Sequence, residues 1–508
     1  MLHRQVLFTP FFMALFPLLF LFSHNIEQTT FSRLMVPALL TVAGVGILVT
    51  LFYFLFRRDL TKSALFVAFF SILFFSYGHI NAVFEKVKLF GVEIGRDRYV
   101  LSGLVVLLIL VFIFFFTRKK IGESVTTLLF RLAVVLLIIP IISIASFEVR
   151  AFKSAKAPDV NNLGSTAVVP GSQTLPDIYY VILDGYAHET TLRRIQEFDN
   201  SSFLDALRAK GFFIPTKSRA NYAQTHLSLA SALSMEYLPA FPADSKDREP
   251  TYQLIQQNAV TKFLRSKGYR FVQISSGMVE MTDRNPYADV DFRNGRLDEF
   301  SMLAIESSAL YPFLRHEIEA QERERVLYSF QKLSEMPAVA GPKFVFAHVL
   351  VPHPPFVFGP NGEMRDDPTI RLYEENPWLL KGHYIDQLKF TNKKVLEIVD
   401  SLLANSKVPP IIIFQGDHGT ASAGGGYKGL EKPNDLLIKE RMKIFAAYYL
   451  PGKENVIPDE ITPLNSFRRI FNAYFDAGFE LLPDKSFFSH YERPYDLLEV
   501  TEKARQNY

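Results

Sequence analysis

PIIIFQGDHG, residues 410–419, sets an apolar, β-branched run directly before Gly-Asp-His-Gly. The run carries no polar alternation, so it reads as a strand buried on both faces. The flanking glycines let backbone approach closely whatever Asp417 and His418 face. Two other segments repeat the pattern: IYYVIL (178–183) runs into Asp184-Gly185, and KFVFAHVL (343–350) runs into Val351-Pro352-His353-Pro354-Pro355. YRFVQIS (269–275) and KIFAAYYL (443–450) read as further strands, with helical stretches around 189–210, 300–334, 383–405 and 463–477. Apolar strands alternating with helices predict an α/β domain with a mostly parallel sheet sandwiched by helices. In such sheets the site forms outside the carboxyl ends of the strands, where Asp184, His353, Asp417 and His418 fall.

Upstream the pattern changes. Five apolar runs, at about 6–22, 34–56, 64–84, 99–116 and 126–147, are each near the length that crosses a hydrocarbon core. The first lacks a small-residue cleavage site and reads as an anchor rather than a signal peptide. Arg4, then Arg57, Arg58 and Lys62, then Arg118, Lys119, Lys120 and Arg131 fall at alternate ends of these runs. The opposite ends carry Arg33, and Lys86, Lys88, Arg96 and Arg98 diluted by Glu85, Glu93 and Asp97. The positive-inside rule then predicts a cytoplasmic N-terminus and an extracytoplasmic remainder. His79 and Asn81 read as helix-end residues of the third run, and Pro140 as a kink in the fifth. The organisation expected is a transmembrane domain over 1–150, a Ser/Pro/Gly/Ala/Asn-rich tether over 151–176, and the α/β domain over 177–508.

A net charge of +3 gives no reason to expect nucleic acid as a partner. The absence of Cys excludes disulfides, thiolate metal ligands and a cysteine nucleophile. Two carboxylates and an imidazole, from Asp184, Asp417 and His418, suit Zn²⁺ or Mn²⁺. Taken alone, Asp184 also reads as a strand-end cap, and His353 as an incidental histidine in a Pro-flanked loop. His348, inside its strand, reads as buried structure. Lys428 and Lys432 could meet an anionic headgroup or simply be solvated.

The combination of LDG (183–185), NYAQTHLSLASALS (221–234) and QGDHG (415–419) resembles the alkaline phosphatase superfamily. Within it the match is to the sulfatase-like membrane branch that includes lipoteichoic-acid synthases and phosphoethanolamine transferases. That branch also has five spans followed by an extracellular α/β domain, so the resemblance covers nearly the whole chain. It implies that Thr225 is both nucleophile and metal ligand, with Asp184, Asp417 and His418 completing the set around one divalent ion. Read by itself, Thr225 is also a plausible N-cap for a helix starting near Leu227, and Ser228 and Ser231 compete for its role. His353 resembles the histidine that these transferases place near the substrate phosphate or acceptor. Threonine cannot become the formylglycine of sulfatases, which disfavours that route to sulfate-ester hydrolysis.

The match departs from the transferases at the first ligand, which is Glu there and Asp here. LDGY is closer to the nucleotide pyrophosphatase/phosphodiesterases, which bind two zinc ions and need a late histidine. After His418 this chain has only His490, in a segment without a strand signal, so one ion is expected. The resemblance implies a phosphotransferase of the bacterial inner (plasma) membrane. It would move a phosphoethanolamine- or phosphoglycerol-type headgroup from a membrane phospholipid to a lipid or surface-glycan acceptor through phospho-Thr225. A phosphodiesterase or sulfatase-like hydrolase is the alternative within enzymes, and a non-catalytic envelope-assembly partner the alternative outside them.

Overall fold

The computed structural model describes all residues except 1, 85–86, 90–91, 94, 155–174, 278, 366–376 and 424–429. Most of the expected tether, and Lys428, lie outside the described residues. The chain divides into two compact units, Met1–Lys156 with Leu297–Ile318, and Ala157–Arg296 with Glu319–Tyr508.

The first unit holds five long helices: α1 (Leu2–His24), α2 (Phe31–Leu55), α3 (Leu60–Phe84), α4 (Asp97–Thr117) and α5 (Glu123–Ser154). Each contains a stretch long and apolar enough to cross a membrane. Their apolar character runs all round, and Ile47, Leu110 and Ile142 are exposed although large and apolar, as on a surface meant for lipid. Lys62 Nζ donates to the Arg118 carbonyl at 2.6 Å, bringing two of the basic clusters to one end. At the other end Tyr77 and Asn81 of α3 both donate to the carboxylate of Asp97, the latter at 3.0 Å. Asn81 therefore fastens α3 to α4. Helix α5 continues through Pro140.

The second unit is built on a six-stranded sheet. Its strands are β1 (Ile178–Leu183), β2 (Arg270–Ile274), β3 (Val290–Phe292), β4 (Lys343–Val349), β5 (Ile411–Gln415) and β6 (Ala446–Tyr449), in the order β3-β2-β4-β1-β5-β6. All neighbours are parallel except β5 and β6. Every residue of β1 is buried, which explains its unbroken apolar run. Helices α6 (Thr225–Ser234) and α9 (Pro463–Phe475) cover one face, where Leu229, Leu233, Phe467 and Phe471 share a core with Ile178, Tyr180 and Ile182. Between them in sequence lie α7 (Lys381–Asn405) and α8 (Asp435–Met442).

A hairpin of β7 (Phe487–His490) and β8 (Arg493–Glu499) follows. His490 thus ends a strand, contrary to the expectation from sequence. The strand has four residues and pairs irregularly with its partner, so it leaves no apolar run to read. The helix expected over 300–334 is two, Glu299–Glu306 and Tyr311–Glu335, interrupted at Ser307–Leu310.

Candidate active site

Parallel pairing brings three loop starts to one edge of the sheet. Leu183 of β1 is level with Val349 of β4, and Ile182 with Gln415 of β5. The residues that follow are tied together by backbone: Asp184 N–H donates to the Val349 carbonyl, and His353 N–H to the Asp184 carbonyl, both at 3.0 Å. Gly185 N–H donates to Asp417 Oδ1 at 3.0 Å. Gly185 has φ of +69°, and a Cβ on it would lie 2.8 Å from the Trp378 ring, so both conformation and space call for glycine.

Thr225 is the first residue of α6; the capping position is Gln224, whose side chain makes no capping bond. The N-cap role considered for Thr225 therefore falls one residue earlier. Thr225 Oγ1 lies 3.1 Å from His418 Nε2. That nitrogen is also 3.3 Å from Asp417 Oδ2 and 3.6 Å from Asp184 Oδ1. His418 Nδ1 is 2.9 Å from the Gly419 carbonyl, a partner that can only accept, so Nδ1 carries the proton and Nε2 is free to ligate. Ser228 donates to the Asp417 carbonyl at 2.8 Å and Ser231 to the Glu236 carbonyl at 2.7 Å, so both hydroxyls are engaged in packing.

Asp184, Asp417 and His418 are buried, and Asp184 Oδ1 and Asp417 Oδ2 have no hydrogen-bond partner among the described residues. Two buried carboxylates with an orphaned oxygen each are costly without a cation. Burial and the charge of Asp184 push Asp417 up to about 6. Burial works the same way on Asp184, but His353 and the hydrogen bond from His348 outweigh it and hold that carboxyl below the usual range. Burial, then the Arg441 charge, keeps His418 neutral. These are the conditions for a divalent ion held by hard oxygens and a neutral imidazole. Asp184, His353 and His418 each offer a ligand atom, all within 4.8 Å of one another. His353 is half-buried, its ring 6.0 Å from that of His418.

Several residues at the site were not legible in the sequence. His348 Nε2 donates to Asp184 Oδ2 at 3.1 Å while its Nδ1 lies 2.9 Å from Thr282 Oγ1, which turns a buried strand residue into an orienting group. Arg441 of α8 joins the two halves of the site: Nε donates to the Ala223 carbonyl at 2.8 Å and a terminal nitrogen to the Gly419 carbonyl at 2.9 Å. Glu440, fully buried, accepts from Thr420 Oγ1 at 2.6 Å and from the Ser422 and Ala423 amides at 2.7 Å, fixing the loop after His418. Trp378 stands edge-on to His353, ring centroids 5.0 Å apart. Of the other residues singled out in the sequence, Lys432 is exposed and the His490 carbonyl accepts from Gln224 at 2.8 Å.

No protein-family model matches the chain, and no curated protein matches it by sequence. Among solved structures it is similar to the C-terminal periplasmic domain of EptC from Escherichia coli in complex with zinc, at 12% identity over 66% of this chain and 96% of that one, TM-score 0.43. It is similar to the soluble domain of lipooligosaccharide phosphoethanolamine transferase A from Neisseria meningitidis, at 11% identity over 60% of this chain and 89% of that one, TM-score 0.38. The phosphonate monoester hydrolase of Agrobacterium radiobacter is similar at 12% identity, over 62% of this chain and 80% of that one, TM-score 0.38.

Proposed function

We propose that the chain is a membrane-anchored, metal-dependent phosphotransferase of the sulfatase-like kind. It takes a phosphoethanolamine- or phosphoglycerol-type headgroup from a membrane phospholipid and passes it to a lipid or surface-glycan acceptor. The observation that supports this best is the Thr225 hydroxyl 3.1 Å from His418 Nε2, beside two buried carboxylates, at the first residue of a helix. Asp184, Thr225, Asp417 and His418 would hold one ion, Zn²⁺ or Mn²⁺. Such an ion lowers the pKa of a bound hydroxyl and offsets charge on phosphoryl oxygens.

The chain's own groups account for the rest. Thr225 Oγ1, its proton lost to solvent, forms a bond to phosphorus, and the bond from phosphorus to the diacylglycerol oxygen breaks. His353 protonates that leaving oxygen. In the second half an acceptor hydroxyl gives its proton back to His353 and takes the group from Thr225, whose oxygen regains from solvent the proton it lost in the first half. The first-turn N–H groups of α6, which a helix leaves without intrahelical partners, would stabilise the transferring anion. The alternate basic clusters support a cytoplasmic N-terminus and a catalytic unit outside it, where acceptors of the cell surface lie.

The test is turnover of a headgroup-labelled phospholipid by the full chain in lipid nanodiscs. Wild type should release diacylglycerol, and Thr225→Ala should lose activity by several powers of ten while its unfolding curve is retained. Label appearing on an acceptor supports transfer, whereas label released as free headgroup phosphate places water in the acceptor's role. Turnover by Thr225→Ala near the wild-type rate would refute the proposal.

A further inference from the structure

Residues 297–318 come from the middle of the soluble sequence yet belong to the unit of membrane helices. The helix Glu299–Glu306 sets Phe300 edge-on to Phe22 of α1, ring centroids 6.0 Å apart. Phe300 and Ala304 share a buried cluster with Leu18, Phe22, Ile26 and Leu34. Arg33, near the start of α2, pairs with Asp298 at 3.6 Å. Beyond this helix the backbone itself docks on α3. Gly78 N–H donates to the Ser307 carbonyl at 3.0 Å, and Ala309 N–H donates to the Phe74 carbonyl at 2.8 Å. Only glycine permits that approach, because a Cβ on residue 78 would lie 2.7 Å from the Glu306 carbonyl oxygen and 2.9 Å from Ser307 Cα.

The depth of this contact can be read along α3. Tyr77 and Asn81 meet Asp97 at the start of α4, which marks the polar end of both spans. Phe74 is about one helical turn deeper, roughly 5 Å at the α-helical rise. Non-helical backbone at such a depth needs protein partners, and the two reciprocal bonds to α3 supply them. Leu310, next to Ala309, is 44% exposed, and Phe313, in the first turn of the helix that follows, is 69% exposed. Ile47, inside the span of α2, is exposed to the same 69%. Apolar side chains left open at this depth meet hydrocarbon rather than water.

We propose that residues 307–310 form a re-entrant turn seated in the bilayer, with Leu310 and, in the first turn of the helix that follows, Phe313 among the acyl chains of the leaflet at the Asp97 end of the bundle. The partner is the lipid surface itself. The proposal rests on reading α1–α5 as membrane spans and stands apart from the enzymatic assignment.

The chain has no cysteine, so Phe313→Cys offers a single site for an environment-sensitive fluorophore. In nanodiscs the label should emit to the blue and lose at least half its intensity to lipids carrying a nitroxide near the headgroup end of the acyl chain. It should ignore aqueous iodide, matching Ile47→Cys and contrasting with Asp244→Cys, which is exposed in the soluble unit. Leu310→Cys should repeat the result, and because both side chains are exposed each variant should keep the wild-type unfolding curve. Water-like emission quenched by iodide would overturn the proposal. Shielding from both quenchers would overturn it too, by showing that protein covers the turn.

Discussion

Thr225 Oγ1 and His418 Nε2 stand 3.1 Å apart although 193 residues separate them in the chain. The contact joins the start of α6 to the loop leaving β5, and Asp184 from the end of β1 completes the group. If this group holds an ion, the carboxylates and imidazole supply most of the binding and the hydroxyl least. Asp417→Asn and His418→Ala should each reduce the metal content of purified protein from one equivalent to well under half. Thr225→Ala should retain most of it. Elemental analysis after dialysis checks this, and equal loss in all three variants would point to general disruption instead.

His348 orients Asp184 from behind through a 3.1 Å hydrogen bond. Groups of this kind are worth about 10–100-fold in metal affinity. His348→Leu should lower affinity by that factor in a chelator competition, and His348→Gln, which keeps an N–H donor, should recover part of it. Unchanged affinity in His348→Leu would leave His348 as packing alone.

Strands buried on both faces were legible because burial writes itself into composition. IYYVIL was expected at 178–183 and β1 is Ile178–Leu183. Edge strand β3 was not, since Val-Asp-Phe offers no apolar run and Asp291 is there to accept from Ser275. The break at Ser307–Leu310 was hidden for another reason: its partners, Phe74 and Gly78, lie far upstream and leave no local signal. At the site, strand-end geometry pointed to Asp184, Asp417, His418 and His353. Thr225 was reached through the resemblance, because nothing local distinguishes a nucleophile from a helix cap. His348 and Arg441 depend on register and on loop packing, which a single sequence does not carry.

His188 caps the helix Glu189–Arg194, its Nδ1 accepting from the Thr190 amide at 3.1 Å. Burial, then the nearby Lys443 charge, pushes its pKa down to about 4, against about 6.5 in an unfolded chain. Between those values the unfolded chain binds a proton that the folded one refuses. The contribution is therefore full above pH 6.5 and lost as pH falls toward 4, at most about 3 kcal/mol. His188→Asn keeps an acceptor without titrating, so its unfolding midpoint should fall less over that window. The fluorescence of Trp378, the one tryptophan, reports the transition. Identical acid sensitivity in the two proteins would assign it to other groups.

In the proposed mechanism Thr225 carries the transferred group. The most direct test is peptide mass spectrometry of the full chain, quenched in acid during turnover of phosphatidylethanolamine or phosphatidylglycerol. A phosphoethanolamine or phosphoglycerol adduct is expected on the peptide containing Thr225, localised to that residue and absent from Thr225→Ala. Turnover with no adduct on Thr225, or an adduct on Ser228 or Ser231 instead, would contradict that mechanism.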